Sequence, residues 1–199
     1  MGSMKSSSGY SLVELMVTIA IFTIISTTVL LNNQQFNGGI ILTNMAYDLA
    51  TSIREAQVYG LSSKGVSGNF KNVYGLHVTG VDNQTLLLFY DSGDGSGGLP
   101  NGGYSTGEEI QTTKLTRGIK IKQFCVTSGG SDYCSVGGVI TELDITFKRP
   151  NPDAKFRVVN PGAPISPITG AKIDIWSPET GRTKQIKVES TGQISVKTP

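Results

Sequence analysis

Histidine is almost missing from this 199-residue chain, and cysteine and tryptophan are scarce: there is one His (His77), two Cys and one Trp. With no second Cys pair and no second His, the ligand set of a structural zinc site is absent. His77 has no acid or nucleophile beside it in sequence, and no Gly-x-Ser-x-Gly or His-Glu-x-x-His occurs, so nothing points to catalysis. The glycine-rich stretches follow no strand-to-helix pattern that would cradle a phosphate. Charge is thin as well, at 16% of residues, where roughly a quarter is usual. The formal net charge of +2 is too small to argue for nucleic acid or an anionic surface. The sequence therefore predicts no enzyme, no catalytic residue and no cofactor.

Glycine, by contrast, is plentiful: 25 residues, which favours many turns and short strands over a helical bundle. The length suits one domain plus an N-terminal extension. Charge is unevenly spread. Residues 82–113 hold five acids (Asp82, Asp91, Asp94, Glu108, Glu109) and no Lys or Arg, whereas residues 148–199 hold nine bases against four acids.

Residues 10–31 form a 22-residue apolar run whose one charge is Glu14. As a helix it rises about 33 Å, enough to cross a bilayer. A secretory signal peptide has a shorter apolar core and a small-residue cleavage site, and neither is found here. A plain membrane anchor leaves Glu14 unexplained, because a carboxylate in hydrocarbon is costly and normally has a partner and a task. If the chain is cut between Gly9 and Tyr10, the new α-amino group lies four residues from Glu14. That amine can pair with Glu14 within one subunit, aided by the helix dipole, or between subunits, where it sets the axial register of packed helices.

The motif Gly9-Tyr10-Ser11-Leu12-Val13-Glu14-Leu15-Met16 resembles the processing and assembly motif of type IV prepilins and type II secretion pseudopilins. The resemblance implies that a prepilin peptidase cuts after Gly9, that Tyr10 becomes the N-methylated terminus, and that Glu14 is the assembly carboxylate. Tyr10 stands where that family most often has Phe. The implied partners are other pilin or pseudopilin subunits, prepilin peptidase, an inner-membrane assembly platform and membrane lipid. The implied location is the cytoplasmic membrane, with the head outside the cytoplasm, and then an extracellular or periplasmic filament.

Beyond the apolar run, Asn37-Gly38-Gly39 predicts a kink or local melting. A helical stripe then resumes through Leu42, Met45, Leu49, Ile53 and Ala56, opposite Asn44, Asp48, Thr51 and Glu55, and should end between Gly60 and Gly65. From there the period is two. Ile119/Ile121, Leu143/Ile145/Phe147 and Ile173/Ile175 alternate with polar residues as half-buried strands, and residues 85–90 read as a central strand. Residues 185–189 and 193–196 follow turn signals at 178–181 and 190–192 and complete a terminal antiparallel meander. The expected fold is α+β: a long N-terminal helix packed on an antiparallel β-sheet head. The expected division is 1–9 leader, 10–31 membrane and filament helix, 32–65 amphipathic half and linker, and 66–199 head.

Cys125 and Cys134 flank a loop containing Gly129-Gly130, and an exported head meets oxidising conditions in which such a pair closes. The acid–glycine segment after Asp91 makes Asp91, Asp94 and Glu108 candidate calcium ligands, although it lacks a regular Asp-x-Asp-x-Asp series and also reads as a solvated turn. The segments Asp48-Leu49-Ala50-Thr51-Ser52-Ile53-Arg54-Glu55-Ala56-Gln57 and Glu189-Ser190-Thr191-Gly192-Gln193-Ile194-Ser195-Val196 resemble the GspH/FimT group of minor pilins and pseudopilins. Some of that group bind DNA through a Gly-Arg-x-Arg pattern near the C-terminus. Here Gly181-Arg182-Thr183-Lys184 keeps part of it and Gly192-Gln193-Ile194-Ser195 has no Arg. Arg182 and Lys184 are thus the DNA candidates, with DNA the less favoured partner and a solvated strand edge the plain alternative.

Overall fold

Two runs of helical text, one apolar all round and one with a single apolar stripe, join into one continuous helix in the computed structural model, which describes residues 9–62, 73–92 and 100–199. Helix α1 runs Leu12–Leu61, about 75 Å at the standard rise per residue. No part of Leu12–Leu30 is buried. In the second half, Leu42, Ala46, Leu49, Ala50, Ile53 and Ala56 are buried, while Asn44, Asp48 and Thr51 stay exposed. This is the expected stripe, with Met45 only partly buried.

The break expected at Asn37-Gly38-Gly39 does not occur: the helix passes through it. Tertiary contact overrides propensity here, because the bare backbone faces of the two glycines receive Thr180 and Arg182 from a turn of the head.

The head has ten strands: β1 (Val73–Thr79), β2 (Thr85–Asp91), β3 (Glu109–Lys114), β4 (Lys120–Ser128), β5 (Ser131–Cys134), β6 (Glu142–Phe147), β7 (Ala154–Val159), β8 (Ile168–Trp176), β9 (Thr183–Glu189) and β10 (Ile194–Lys197). They form two five-stranded sheets, β3-β2-β1-β6-β7 and β10-β9-β8-β4-β5, and every pairing is antiparallel. The α+β reading holds, with two sheets in place of one. The meander β8-β9-β10 is as expected. β2 is flanked on both sides, but the middle strand of its sheet is β1, six of whose seven residues are buried. Both sheets and the second half of α1 share one hydrophobic core, which includes Leu49, Ile53, Leu76, Phe124, Ile145, Phe147, Ile173 and Ile186.

The axial order of contacts along α1 orients the head. Gly38 and Gly39 lie beside the β8–β9 turn, Ser52 reaches Thr113, and Gln57 donates hydrogen bonds to the Pro152 and Gly192 carbonyls at 3.0 and 3.1 Å. The β8–β9 turn is therefore at the end nearest the apolar half of the helix. We call that end the root of the head.

Candidate functional site

Gly9 and Tyr10 precede α1 in exposed, non-helical chain, with Tyr10 82% exposed. Ser11 is the N-cap in an extended conformation, and the Leu15 N–H donates the first helical bond to its carbonyl at 3.1 Å. Glu14 is the one acid of the first turn, where the positive end of the helix dipole favours a carboxylate. Because α1 begins at Leu12, Tyr10 lies outside the helix, and helical i,i+4 geometry does not bring it to Glu14 in the uncut chain.

The apolar span also contains threonine hydroxyls, and these are satisfied locally. Thr18, Thr23, Thr27 and Thr28 each donate to a carbonyl three or four residues back, at 2.7–3.1 Å. A threonine bonded in this way brings no unpaired donor into hydrocarbon. Exposed Leu12, Val13, Leu15, Met16, Ile19, Phe22 and their neighbours make an apolar surface far larger than a soluble monomer normally shows to water. The surface fits a lipid tail or another apolar helix.

Residues 4–30 match the prokaryotic N-terminal methylation motif. The motif marks a type IV pilin-like prepilin. No curated protein and no solved structure matches the chain. Pilin-like proteins are structural, so the prepilin motif agrees with a chain that assembles with other pilin subunits after peptidase processing, and with anchoring through the apolar helix.

In the head, Cys125 and Cys134 form a disulfide and are directly paired across β4 and β5. Asp91 and Glu108 are buried, and their carboxylates hold backbone. Asp91 accepts from the Asn101 and Gly102 N–H groups at 3.2 and 2.6 Å, and Glu108 accepts from those of Ser92 and Ser105 at 2.9 Å each. Asp94 lies outside the described residues. Among the described residues no three His, Cys, Asp or Glu side chains are grouped to hold a metal ion. Tyr104 donates to Glu109 at 3.0 Å. Partial burial and that neighbouring carboxylate raise the Tyr104 pKa, and the Glu109 carboxyl is lowered by its own backbone N–H, by Tyr104 and by the Gly107 N–H.

Arg182, just before β9, and Lys184, its second residue, lie at the root of the head, and Lys122 of β4 joins them around a cleft of about 620 Å³. The sequence brought Arg182 and Lys184 together but gave no sign of Lys122, which arrives through the β4–β8 pairing.

The sequence also missed a polar cluster. His77 of β1 pairs in register with Asp144 of β6, and Arg157 of β7 with the same Asp144. His77 Nδ1 lies 2.7 Å from Asp144 Oδ1, and Arg157 Nη1 donates to Oδ2 at 3.2 Å. The acid partner that His77 lacks in sequence is thus 67 residues away. The Tyr104 ring covers His77, with centroids 4.7 Å apart. The cluster satisfies a carboxylate that is 1% exposed.

Proposed function

We propose that this prepilin is a non-enzymatic minor pilin or pseudopilin of the GspH/FimT type, a structural subunit of a type IV pilus or a type II secretion pseudopilus. Residues 1–9 are its leader, 10–31 the membrane and filament helix, 32–65 the amphipathic half and linker, and 66–199 the head. Prepilin peptidase cuts between Gly9 and Tyr10, and Tyr10 becomes the methylated terminus. The subunit is then stored in the cytoplasmic membrane with its head outside until an assembly platform moves it into the filament.

The observation that carries this reading is the combination at α1: a 19-residue apolar span with no residue buried against its own head, matched by the methylation motif, with Glu14 as its one charge. A helix that packs against nothing of its own chain needs lipid or other helices. In the uncut chain α1 starts after Ser11, so pairing within one chain needs the cut helix to extend back to Tyr10, and the partner proposed for Glu14 is the Tyr10 amine of a neighbouring subunit. That pairing fixes register between helices.

The second reading, a DNA-binding minor pilin of an uptake pilus, draws on Arg182, Lys184 and Lys122 standing together. It has less support, because those cations surround the base of the head, the side that a membrane or filament core occupies.

The test is the fate of the chain in cells. Mass spectrometry of membrane-extracted protein is expected to place the mature N-terminus at a methylated Tyr10, and the sheared filament fraction is expected to contain that same species. An intact leader in cells containing prepilin peptidase, or a processed chain that never leaves the membrane fraction, contradicts the assignment.

A further inference from the structure

We propose that the root of the head is a docking surface for anionic phospholipid headgroups, which holds the stored subunit upright on the membrane. This rests on reading Leu12–Leu30 as a membrane span.

Four cations mark the surface. Arg117 stands in the β3–β4 turn, Lys122 on β4, Arg182 in the β8–β9 turn and Lys184 at the start of β9, all around the point where α1 leaves the head at Gly38 and Gly39. Arg182 lays its guanidinium against Gly39, and Lys184 Nζ donates to Thr198 at 2.9 Å. None of the four has an ion-pair partner among the described residues, whereas Lys172 and Lys187 elsewhere on the same sheet are paired with Asp132 and Glu189. The acids in the turns of this end are Asp82 and Glu179, and the carboxylate of Pro199 lies by the cleft, so the four cations still outnumber the anions. Arg117 also has a left-handed backbone, φ 54°, where Gly or Asn would be the easier residue.

Distance selects the partner. Gly39 follows the last residue of the apolar span, Leu30, by nine positions, a rise of about 13 Å. Headgroups occupy roughly the first 5–8 Å beyond the hydrocarbon, so the remaining gap is within about one Debye length of 8 Å. Long Arg and Lys side chains reach down towards such a layer. A second copy of the chain is the weaker fit, since of the four described acids in residues 82–113 Asp91 and Glu108 are buried on backbone amides and Glu109 is held by Tyr104 and the Gly107 N–H. A DNA duplex approaching from this side would meet the bilayer first.

The experiment uses the full chain in neutral detergent micelles, titrated with phosphatidylglycerol or phosphatidylcholine, with bound lipid counted by native mass spectrometry. Each cation near an anionic surface contributes roughly five-fold in binding. The expected result is a preference for phosphatidylglycerol of about tenfold or more, which fades as salt rises from about 0.05 to about 0.5 M and is lost in R117Q/R182Q/K184Q. Equal retention of the two lipids by the wild-type chain overturns the proposal, and so does a preference that survives high salt or the triple substitution. A duplex that binds the micelle-held chain more tightly than phosphatidylglycerol, and is lost in the same variant, assigns the surface to nucleic acid and also overturns it. Flotation with pure phosphatidylcholine vesicles separates the two readings. A chain that floats without headgroup preference sinks this inference alone, and one that does not float sinks the span as well.

Discussion

Gly60, in the last turn of α1, lies directly against the backbone of Phe147 in β6: a β-carbon built on it would stand 2.5 Å from the Phe147 carbonyl oxygen. The Gly60 carbonyl in turn accepts from the Arg149 N–H at 3.1 Å. Through this contact and the Gln57 hydrogen bonds, the helix that carries the methylation motif is fixed to the head. Gly60→Ala should therefore destabilise the head by about 1–2 kcal/mol, strain outweighing the better helix propensity of Ala. Gly39→Ala meets only the movable end of Arg182 and should be neutral or stabilising by up to about 1 kcal/mol. Denaturant midpoints of the two variants in micelles check this, and equal shifts would contradict the packing account.

Asp144 is the next place where one side chain supports several strands. It is 1% exposed and bonds both His77 and Arg157, so Asp144→Ala leaves a buried imidazole and a guanidinium without their acceptor. The expected loss is about 3 kcal/mol. Arg157→Ala leaves Oδ2 of the buried carboxylate without its donor but keeps the His77 contact, and should cost less, about 1–2 kcal/mol. Unfolding midpoints of both variants measure the difference.

Cys125 is buried on β4, and β5 is an edge strand whose Ser131, Asp132 and Tyr133 are exposed, so the bridge ties a polar edge to the core. Intact mass without reductant should show the loss of two hydrogens. The double substitution to Ala should lower stability by about 2–3 kcal/mol, the chain-entropy value for so short a loop. Full thiol labelling of exported protein before reduction would refute the bridge.

The apolar run, the amphipathic stripe and the β8-β9-β10 meander were all legible, because each is a local period ending at a turn signal. What was not legible depended on distant chain. Gly38 and Gly39 read as a break because propensity knows nothing of Thr180 and Arg182 arriving from the head to fill their bare side. β1 is buried nearly throughout, so Tyr74, Leu76 and Val78 show no alternation against solvent-facing neighbours. β3 is exposed nearly throughout and had no apolar face to detect. The His77–Asp144–Arg157 cluster exists only after β1, β6 and β7 are in register. The spacing of Tyr10 and Glu14 allows pairing within one chain or between two, and α1 starts at Leu12 in the uncut chain.

The central claim is that Glu14 is the assembly contact. A carboxylate in hydrocarbon costs a few kcal/mol, so its retention at the head of an otherwise apolar helix implies a compensating charge, and the freed amine of Tyr10 is the one at hand. Removing the carboxylate should ease insertion and leave that amine unpaired when the subunit enters the filament. The decisive measurement is the ratio of Glu14→Ala and Glu14→Gln protein in sheared filaments to that in the membrane pool, with cleavage at Gly9 followed in parallel. The account predicts normal insertion and cleavage for both variants, with filament content lower by about tenfold or more, as expected when a buried charge loses its partner. Glu14→Gln should fail like Glu14→Ala, since it keeps the shape and loses the charge. Wild-type filament levels for both variants would contradict the account and leave the helix a plain membrane anchor.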